Sequence, residues 1–419
     1  MTANSNKGWI VTLAGTGINL ALGVLYAWSV IAKQLTKSWG WSASDASLPY
    51  AVACGVFAVV MVFAGRAQDK VGPRIVAALG GALTGIGMIL SSFATQNSLW
   101  LMVIGFGVLA GTGIGLGYAS ATPPAVKWFP PAKKGMITGI VVSGFGLASV
   151  YIAPVTNKLL ATVGINKTFL TLGIAFFIVT VLLAQLLQDP PAGYVPAGMP
   201  APSATAKTAT SRKHDYDWHE MVKTPQFYLL WLMYAFASFA GLMIIGHLAK
   251  IAAARNIDVG FILVAVLAIG NASGRIIAGM VSDKLGRTRT MLLVFLSQAA
   301  VMLLFAKLNT MALLIAGAAA VGFNYGANLS LFPSTTADFF GTKNLGVNYG
   351  LVFTAWGVGG VFGSMVAGKI VDITGTYNMA FIVAAVLCVM AAALSFLTKA
   401  PAPIMVSNPN FAGLQNESK

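Results

Sequence analysis

Long apolar runs, separated by short polar segments, follow one another along almost the whole chain. A helix needs about 20 mostly apolar residues to cross the hydrocarbon core of a bilayer, whereas a membrane β-strand needs only about ten. The runs therefore predict spanning helices rather than the strands of a barrel. We place twelve spans at residues 9–32, 47–65, 75–94, 99–121, 136–158, 166–188, 225–249, 259–281, 290–307, 311–332, 347–371 and 377–398.

The spans fall into two sets of six, because one longer polar interval interrupts the series after the sixth span. This interval begins DPPAGYVPAGMPAPSATAK at Asp189, and a composition rich in Pro, Ala, Ser and Thr is typical of a flexible tether. We predict an all-α integral membrane protein with an N-terminal six-helix half (1–188), a linker (189–224) and a C-terminal six-helix half with a short tail (225–419).

Composition and charge support a membrane protein. Only 9% of the residues are charged, against about 25% in soluble domains, and the net charge of +15 is scattered over short loops, which argues against nucleic-acid binding. Most Lys and Arg residues lie on the side of the termini and the linker, so the positive-inside rule predicts cytoplasmic termini in a cell inner (plasma) membrane. The opposite loops hold Lys33, Lys37, Lys158, Lys167, Lys250, Arg255, Lys307 and Lys369.

Two short loops on the cytoplasmic side repeat the same pattern. GRAQDKVGPR (65–74) and GMVSDKLGRTR (279–289) each place Gly, then Asp-Lys, then Gly and Arg. Gly72 and Gly286 suit a tight turn. The charged residues can cap a helix end or pair with one another: Asp69, Arg74, Asp283 and Arg287. The repeat predicts that the two halves have the same arrangement of helices, as in many transporters.

The paired loops, the twelve spans and the central tether resemble the major facilitator superfamily over essentially the whole chain. KWFPPAKKGMITGIVVSGFGLAS (127–149) is similar to the signature that opens span five in the monocarboxylate transporter and oxalate/formate antiporter families. NASGRIIAGMVSDKLGR and LFPSTTADFFGTKNLGVNYG also resemble these families, whereas KGW (7–9) matches their first-span signature incompletely. The resemblance implies two halves that rock around a central site, with the charged loops as an inner latch that breaks during the movement.

Arg275 is a cation inside the apolar run of span eight, and every Asp and Glu can be placed outside the apolar cores. Such a charge costs roughly 2.5–3.5 kcal/mol on insertion scales. Two interpretations are open: the side chain extends to the headgroups of the inner leaflet, or it binds an anion inside the protein. The resemblance, in which this Arg binds the substrate carboxylate, favours the second.

Other polar and aromatic residues of the spans are candidates for the same site. Asn271 precedes Arg275 by one helical turn, so both lie on one face. Tyr118 and Tyr325 lie in spans four and ten, which are equivalent in the two halves, and Phe353 and Trp356 can form an apolar wall. Core packing is the alternative for all four aromatic residues. In oxalate carriers of the family a Lys stands at the position of Trp356, so the resemblance implies a single carboxylate here.

A proton carrier is harder to identify. Many monocarboxylate transporters have an acidic residue at the position of Asn271, which cannot titrate. The remaining candidates are His247 near the end of span seven, Asp258 at the start of span eight and Lys33 at the end of span one. The alternative for His247 and Asp258 is a solvated helix end, and for Lys33 an end cap that extends toward the headgroups.

These observations predict a secondary transporter of a small monocarboxylate such as L-lactate or pyruvate, with a proton as the second partner and no cofactor or metal. Exchange of anions, as in the oxalate/formate antiporters, is the alternative within the class. A non-transporting anion sensor would need a signalling surface, and an enzyme would need acid–base or metal groups in the spans; we find neither in the sequence. We expect a monomer.

Overall fold

The computed structural model describes residues 3–191, 194, 215–257, 260–341 and 344–401; the side chains of residues 3–5, 69, 131–132 and 134–135 lie outside the description. The described residues form helices without strands. The N-terminal half contains Ala3–Leu22, Gly23–Ala27, Trp28–Trp39, Ala43–Val71, Pro73–Ser91, Leu99–Met102, Val103–Ala110, Gly111–Lys127 and Pro131–Ala184. The C-terminal half contains Trp218–Met221, Pro225–Ala253, Gly260–Leu285, Arg287–Phe305, Met311–Phe340, Leu345–Thr374 and Asn378–Leu397.

The prediction of twelve spans is confirmed. Eleven helical segments of the described chain are long and apolar enough to cross a membrane. The longest, Met136–Ala184, contains Gly164 with φ 78° and ψ 178°, a conformation that favours glycine, and this break separates spans five and six. We number the spans accordingly, and we call the end of the bundle where span two begins and spans seven and eleven end the outer end, following the charge-based prediction.

Two spans are interrupted in ways that the hydrophobic pattern does not predict. Span one changes from α-helix to a 3₁₀ segment at Gly23–Ala27 and continues as Trp28–Trp39, so its predicted end at residue 32 was wrong. Span four contains a π-helical segment at Val103–Ala110. Such segments often mark functional sites inside helices.

The internal repeat is visible in the turns and in the helix pairs. Gly72 (φ 94°, ψ 151°) and Gly286 (φ 91°, ψ 152°) have nearly identical backbone conformations in the two equivalent loops. Glycine also allows close helix packing in both halves. A Cβ added at Gly115 would lie 3.1 Å from the carbonyl oxygen of Phe57, and one at Gly326 would lie 2.0 Å from that of Asn271. Spans two and four are thus paired like spans eight and ten.

Two of the seams between the halves are marked by close glycine contacts. Span two packs on span eleven, where a Cβ at Gly357 would lie 2.3 Å from the Ala58 Cβ. Span five packs on span eight, where a Cβ at Gly146 would lie 3.5 Å from the Arg275 guanidinium. The second seam therefore contains the buried cation that the sequence singles out.

Candidate functional site

The Arg275 side chain points across the seam between the halves. It is 9% exposed, its Nε donates to Asn271 Oδ1 at 3.0 Å, and its Nη1 donates to the Val142 carbonyl of span five at 2.8 Å. Because these partners lie in the bundle and not among headgroups, extension of the side chain to the inner leaflet is contradicted. The guanidinium is instead held between a helix of one half and a helix of the other.

The hydrogen bonds of Arg275 orient its charge without neutralising it. Both acceptors are neutral oxygens, and the ion pairs between described side chains join other residues. A buried cation without a counter-ion is costly, and a carboxylate is its most effective partner because it can accept two parallel hydrogen bonds. The described part of the site thus has the electrostatic character of an anion site.

Asn271 is fully buried one turn before Arg275. Its Oδ1 accepts from the guanidinium, while its Nδ2 has no hydrogen-bond partner among the described residues. A buried amide donor without an acceptor is unfavourable. The close packing of Gly326 against the Asn271 backbone fixes the helix that carries both side chains, so the donor and the cation are presented together.

A chain of hydrogen bonds crosses the centre of the bundle. Trp356 Nε1 donates to the Tyr325 hydroxyl at 2.7 Å, and that hydroxyl lies 2.8 Å from the hydroxyl of Tyr26 in span one. All three side chains are buried. The structure thus brings together two predicted residues of the C-terminal half and adds Tyr26, which the sequence analysis missed. The signal was present, since Tyr26 is also a tyrosine inside an apolar span.

Aromatic rings surround this chain. Phe57 lies 5.1 Å from Trp356, 5.7 Å from Phe353 and 5.5 Å from Tyr118 between ring centroids. Phe145, next to Gly146, lies 5.2 Å from Tyr118. Tyr118 in turn lies beside the Arg275 guanidinium. Phe57 therefore connects Tyr118, beside Arg275, with Phe353 and Trp356.

Phe57 and Phe145 complete this aromatic wall from spans two and five, but the sequence analysis did not identify them. The chain contains 24 phenylalanines, and no spacing distinguishes these two.

His247 is not a solvated helix end. It is fully buried, and its Nε2 lies 3.0 Å from the Ser364 carbonyl and 3.1 Å from Ser47 Oγ, whereas its Nδ1 lies 3.1 Å from the Tyr377 hydroxyl. Because a carbonyl only accepts, Nε2 carries the hydrogen and Nδ1 accepts from Tyr377 in the neutral ring. The imidazole joins the two halves near the outer end and does not contact Arg275.

The other proton-coupling candidates are placed only in part. Lys33 is half-buried near the end of span one, and its role stays a prediction. Asp258 lies outside the described residues. Lys250, which the charge pattern assigns to a solvated loop, is only 8% exposed, because the other half covers it. Its Nζ donates to Ser47 Oγ at 3.4 Å and to the Ala43 carbonyl at 3.5 Å.

The loop between spans eight and nine contains ion pairs that involve Asp283 and Arg287, two of the residues predicted for the inner latch. Arg287 Nη1 lies 2.7 Å from Asp283 Oδ1, and Arg287 Nε donates to Asp338 Oδ2 at 2.9 Å. Asp338, at the inner end of span ten, was missed. In the equivalent loop of the first half, Arg74 is exposed and the Asp69 side chain lies outside the description. Movement of the inner latch during transport stays a prediction.

Comparison with known proteins assigns the fold to a family. The family model described as Major Facilitator Superfamily matches residues 9–261 and 242–416. The uncharacterized MFS-type transporter YhjX of Escherichia coli (strain K12) is 33% identical over 84% of this chain and 86% of its own length. The oxalate:formate antiporter of Oxalobacter formigenes is 29% identical over 93% of this chain and 91% of its own.

A eukaryotic relative extends the comparison. The human monocarboxylate transporter 11 is 27% identical over 90% of this chain and 79% of its own length. The similarity to these proteins covers both halves of the chain and agrees with the helices described above. The chain therefore belongs to the Major Facilitator Superfamily and is a multi-pass membrane transporter rather than an enzyme.

Proposed function

We propose that the protein is a secondary transporter of small monocarboxylates such as L-lactate or pyruvate, which moves the anion and a proton together by alternating access. The observation that carries this proposal is Arg275, buried on the seam with neutral partners only among the described residues. At about 4 Å and an effective dielectric constant of about 20, a carboxylate gains roughly 4 kcal/mol from such a charge. An attraction of this size favours the entry of a small anion into the site.

A single carboxylate fits the surroundings of Arg275. Trp356 stands where oxalate carriers of the family have a second cation, and it lies stacked on Phe353 at 4.9 Å. One guanidinium, connected through Tyr118 and Phe57 to this aromatic wall, favours an anion with a short apolar or hydroxylated tail. The free Nδ2 of Asn271 and the tyrosine hydroxyls can donate to the carboxylate or to a hydroxyl or keto group on the neighbouring carbon.

Proton coupling rests on residues away from Arg275. His247 bonds to Ser47 of the other half, and Lys33 and Asp258 remain candidates by position. Anion exchange is the second candidate function, and one observation favours it. Asn271 takes the place next to Arg275 where a titratable residue would allow the empty site to change its charge. An exchanger would instead keep the site occupied by an anion in both directions.

The test is uptake of labelled L-lactate by the purified protein in liposomes. A symporter accumulates lactate under an inward proton gradient alone, and an ionophore that collapses the gradient abolishes accumulation. Uptake only after the liposomes are loaded with a second anion would establish exchange. Liposomes with the Arg275→Gln variant control for diffusion of undissociated acid, and a lack of saturable flux in every condition would support a sensor.

The proposal also includes the location, the oligomeric state and the membrane topology of the protein. We place the protein in the cell inner membrane as a monomer, with both termini in the cytoplasm. The charge bias of the loops supports the topology, and the bacterial relatives support the location. Competition by pyruvate, acetate, formate and oxalate in the uptake assay would define the cargo, and we expect oxalate to compete poorly.

A further inference from the structure

The first turn of span two is held by the opposite half at the outer end of the bundle. The Asp372 carboxylate, near the end of span eleven, accepts from the backbone nitrogens of Ala43 at 2.8 Å and Ser44 at 3.0 Å, and also from Ser44 Oγ. These backbone N–H groups have no partner within their own helix. An anion there is stabilised by direct hydrogen bonds and by the positive end of the helix dipole.

A close contact between spans eleven and two at Gly368 brings Asp372 to this position. A Cβ at Gly368 would lie 2.9 Å from the Ser44 Cα and 3.0 Å from the Ala43 carbonyl oxygen. Gly368 therefore allows the two backbones to touch. Asp372 follows it by four residues, so it lies on the same face one turn further out. The close contact and the carboxylate form one continuous surface against span two.

Span seven contacts the same turn through Lys250 and His247. Lys250 Nζ donates to the Ala43 carbonyl and to Ser47 Oγ, and His247 bonds to Ser47 as well. The C-terminal half thus bonds to both the N–H and the carbonyl of Ala43. Such an arrangement ties the halves together through hydrogen bonds as well as packing.

We propose that Asp372 and Lys250, with the first turn of span two, form an outer clasp that keeps the path closed toward the outside, and that this clasp must open for outward access. The proposal needs only that the two halves move as a transporter of this family requires; it does not depend on which anion is carried. A weakened outer clasp should shift the protein toward its outward-open form.

Cys54 provides a reporter inside the same seam. It is fully buried three residues before Phe57, and a Cβ at Gly360 of span eleven would lie 3.2 Å from its sulfur. Separation of spans two and eleven at the outer end would uncover the thiol. The second cysteine, Cys388 in span twelve, is removed by Cys388→Ser so that labelling reports on one position.

The experiment measures the rate at which a small, water-soluble thiol reagent labels Cys54 in nanodiscs, where both faces are accessible. We expect Asp372→Asn to increase this rate about threefold to thirtyfold, the range that a carboxylate at a helix N-terminus supports. Asp45→Asn is the matched control, because Asp45 lies in the same first turn and bonds to Ser42 of its own half. It should leave the rate unchanged.

A second variant separates clasp release from misfolding. Ser44→Ala removes only the side-chain hydrogen bond to Asp372 and should give a smaller increase in the labelling rate, with an unchanged melting temperature. Elution as a single species and a cooperative melting transition would confirm that both variants are folded. The proposal is overturned if Asp372→Asn and Ser44→Ala label at the rate of Asp45→Asn. If the unsubstituted protein does not transport lactate, the proposed cargo is wrong, but the proposal of the outer clasp is unaffected.

Discussion

Arg275 and Asn271 lie one turn apart on span eight, and the guanidinium donates to the amide oxygen. This pair can be recognised within a single helix, whereas the residues that surround it cannot all be recognised in this way. Tyr26, Phe57 and Phe145 come from three different spans of the other half. Their proximity to the site depends on how the halves dock, and hydrophobic periodicity within one span carries no information about docking.

At the residue scale, we expect the charge of Arg275 and the orientation of its guanidinium to contribute separately to lactate affinity. Asn271→Ala keeps the Arg275 charge but removes the acceptor for its Nε, and a hydrogen bond to a charged group contributes about 1.5–3 kcal/mol. Lactate affinity should fall roughly tenfold to a hundredfold. Asn271→Asp should lower affinity further, because a carboxylate beside Arg275 competes with the cargo.

Direct binding of labelled lactate measures both effects. Asn324→Ala serves as the control, since Asn324 is a buried asparagine of the same half that bonds to Ser297 instead. Equal affinities for the Asp and Ala variants at position 271 would contradict the view that an uncompensated charge attracts the anion.

The positions of the spanning helices can be predicted from the sequence, but the segments that interrupt the α-helix cannot. Apolar runs located the twelve spans because burial in lipid requires about 20 apolar residues whatever their order. The 3₁₀ segment Gly23–Ala27 and the π segment Val103–Ala110 are equally apolar, so composition does not distinguish them from α-helix. The first of them carries Tyr26, and its backbone geometry places this side chain at the centre of the bundle.

At the scale of the helices, the close contact between spans three and four at a glycine leads to a prediction about stability. A Cβ at Gly113 of span four would lie 2.4 Å from the Gly80 carbonyl oxygen and the Thr84 nitrogen, which are backbone atoms and cannot move independently. Gly113→Ala should lower stability by about 1–3 kcal/mol, the usual cost of overpacking. A lower melting temperature in detergent would show it.

Gly139 in span five is the matched control, because an added Cβ meets nothing within 4 Å. Gly139→Ala should leave the melting temperature unchanged or raise it slightly, since alanine favours helix. If both variants melt at the same temperature, close backbone approach is not what holds spans three and four together.

For the whole molecule, the internal repeat predicted two similar halves, and the matching turns at Gly72 and Gly286 support that view. No comparable sequence signal marks the contacts between the halves. His247 and Lys250 resemble solvated helix ends because they stand near the end of an apolar run. In the structure span two covers them, and their hydrogen bonds cross to the other half. Burial by a distant segment of the chain has no local sequence signature.

Arg275 is proposed as the cation that binds the carboxylate of the cargo between the halves. The most direct measurement is the affinity of the purified Arg275→Gln variant for labelled L-lactate, compared with the unsubstituted protein. Arg289→Gln, which removes an exposed arginine, is the control for net charge. Elution behaviour and melting temperature establish that each variant is folded.

We expect Arg275→Gln to bind L-lactate at least about a hundredfold more weakly and to transport none, whereas Arg289→Gln should bind it normally. Near-normal binding and uptake by folded Arg275→Gln would contradict this expectation.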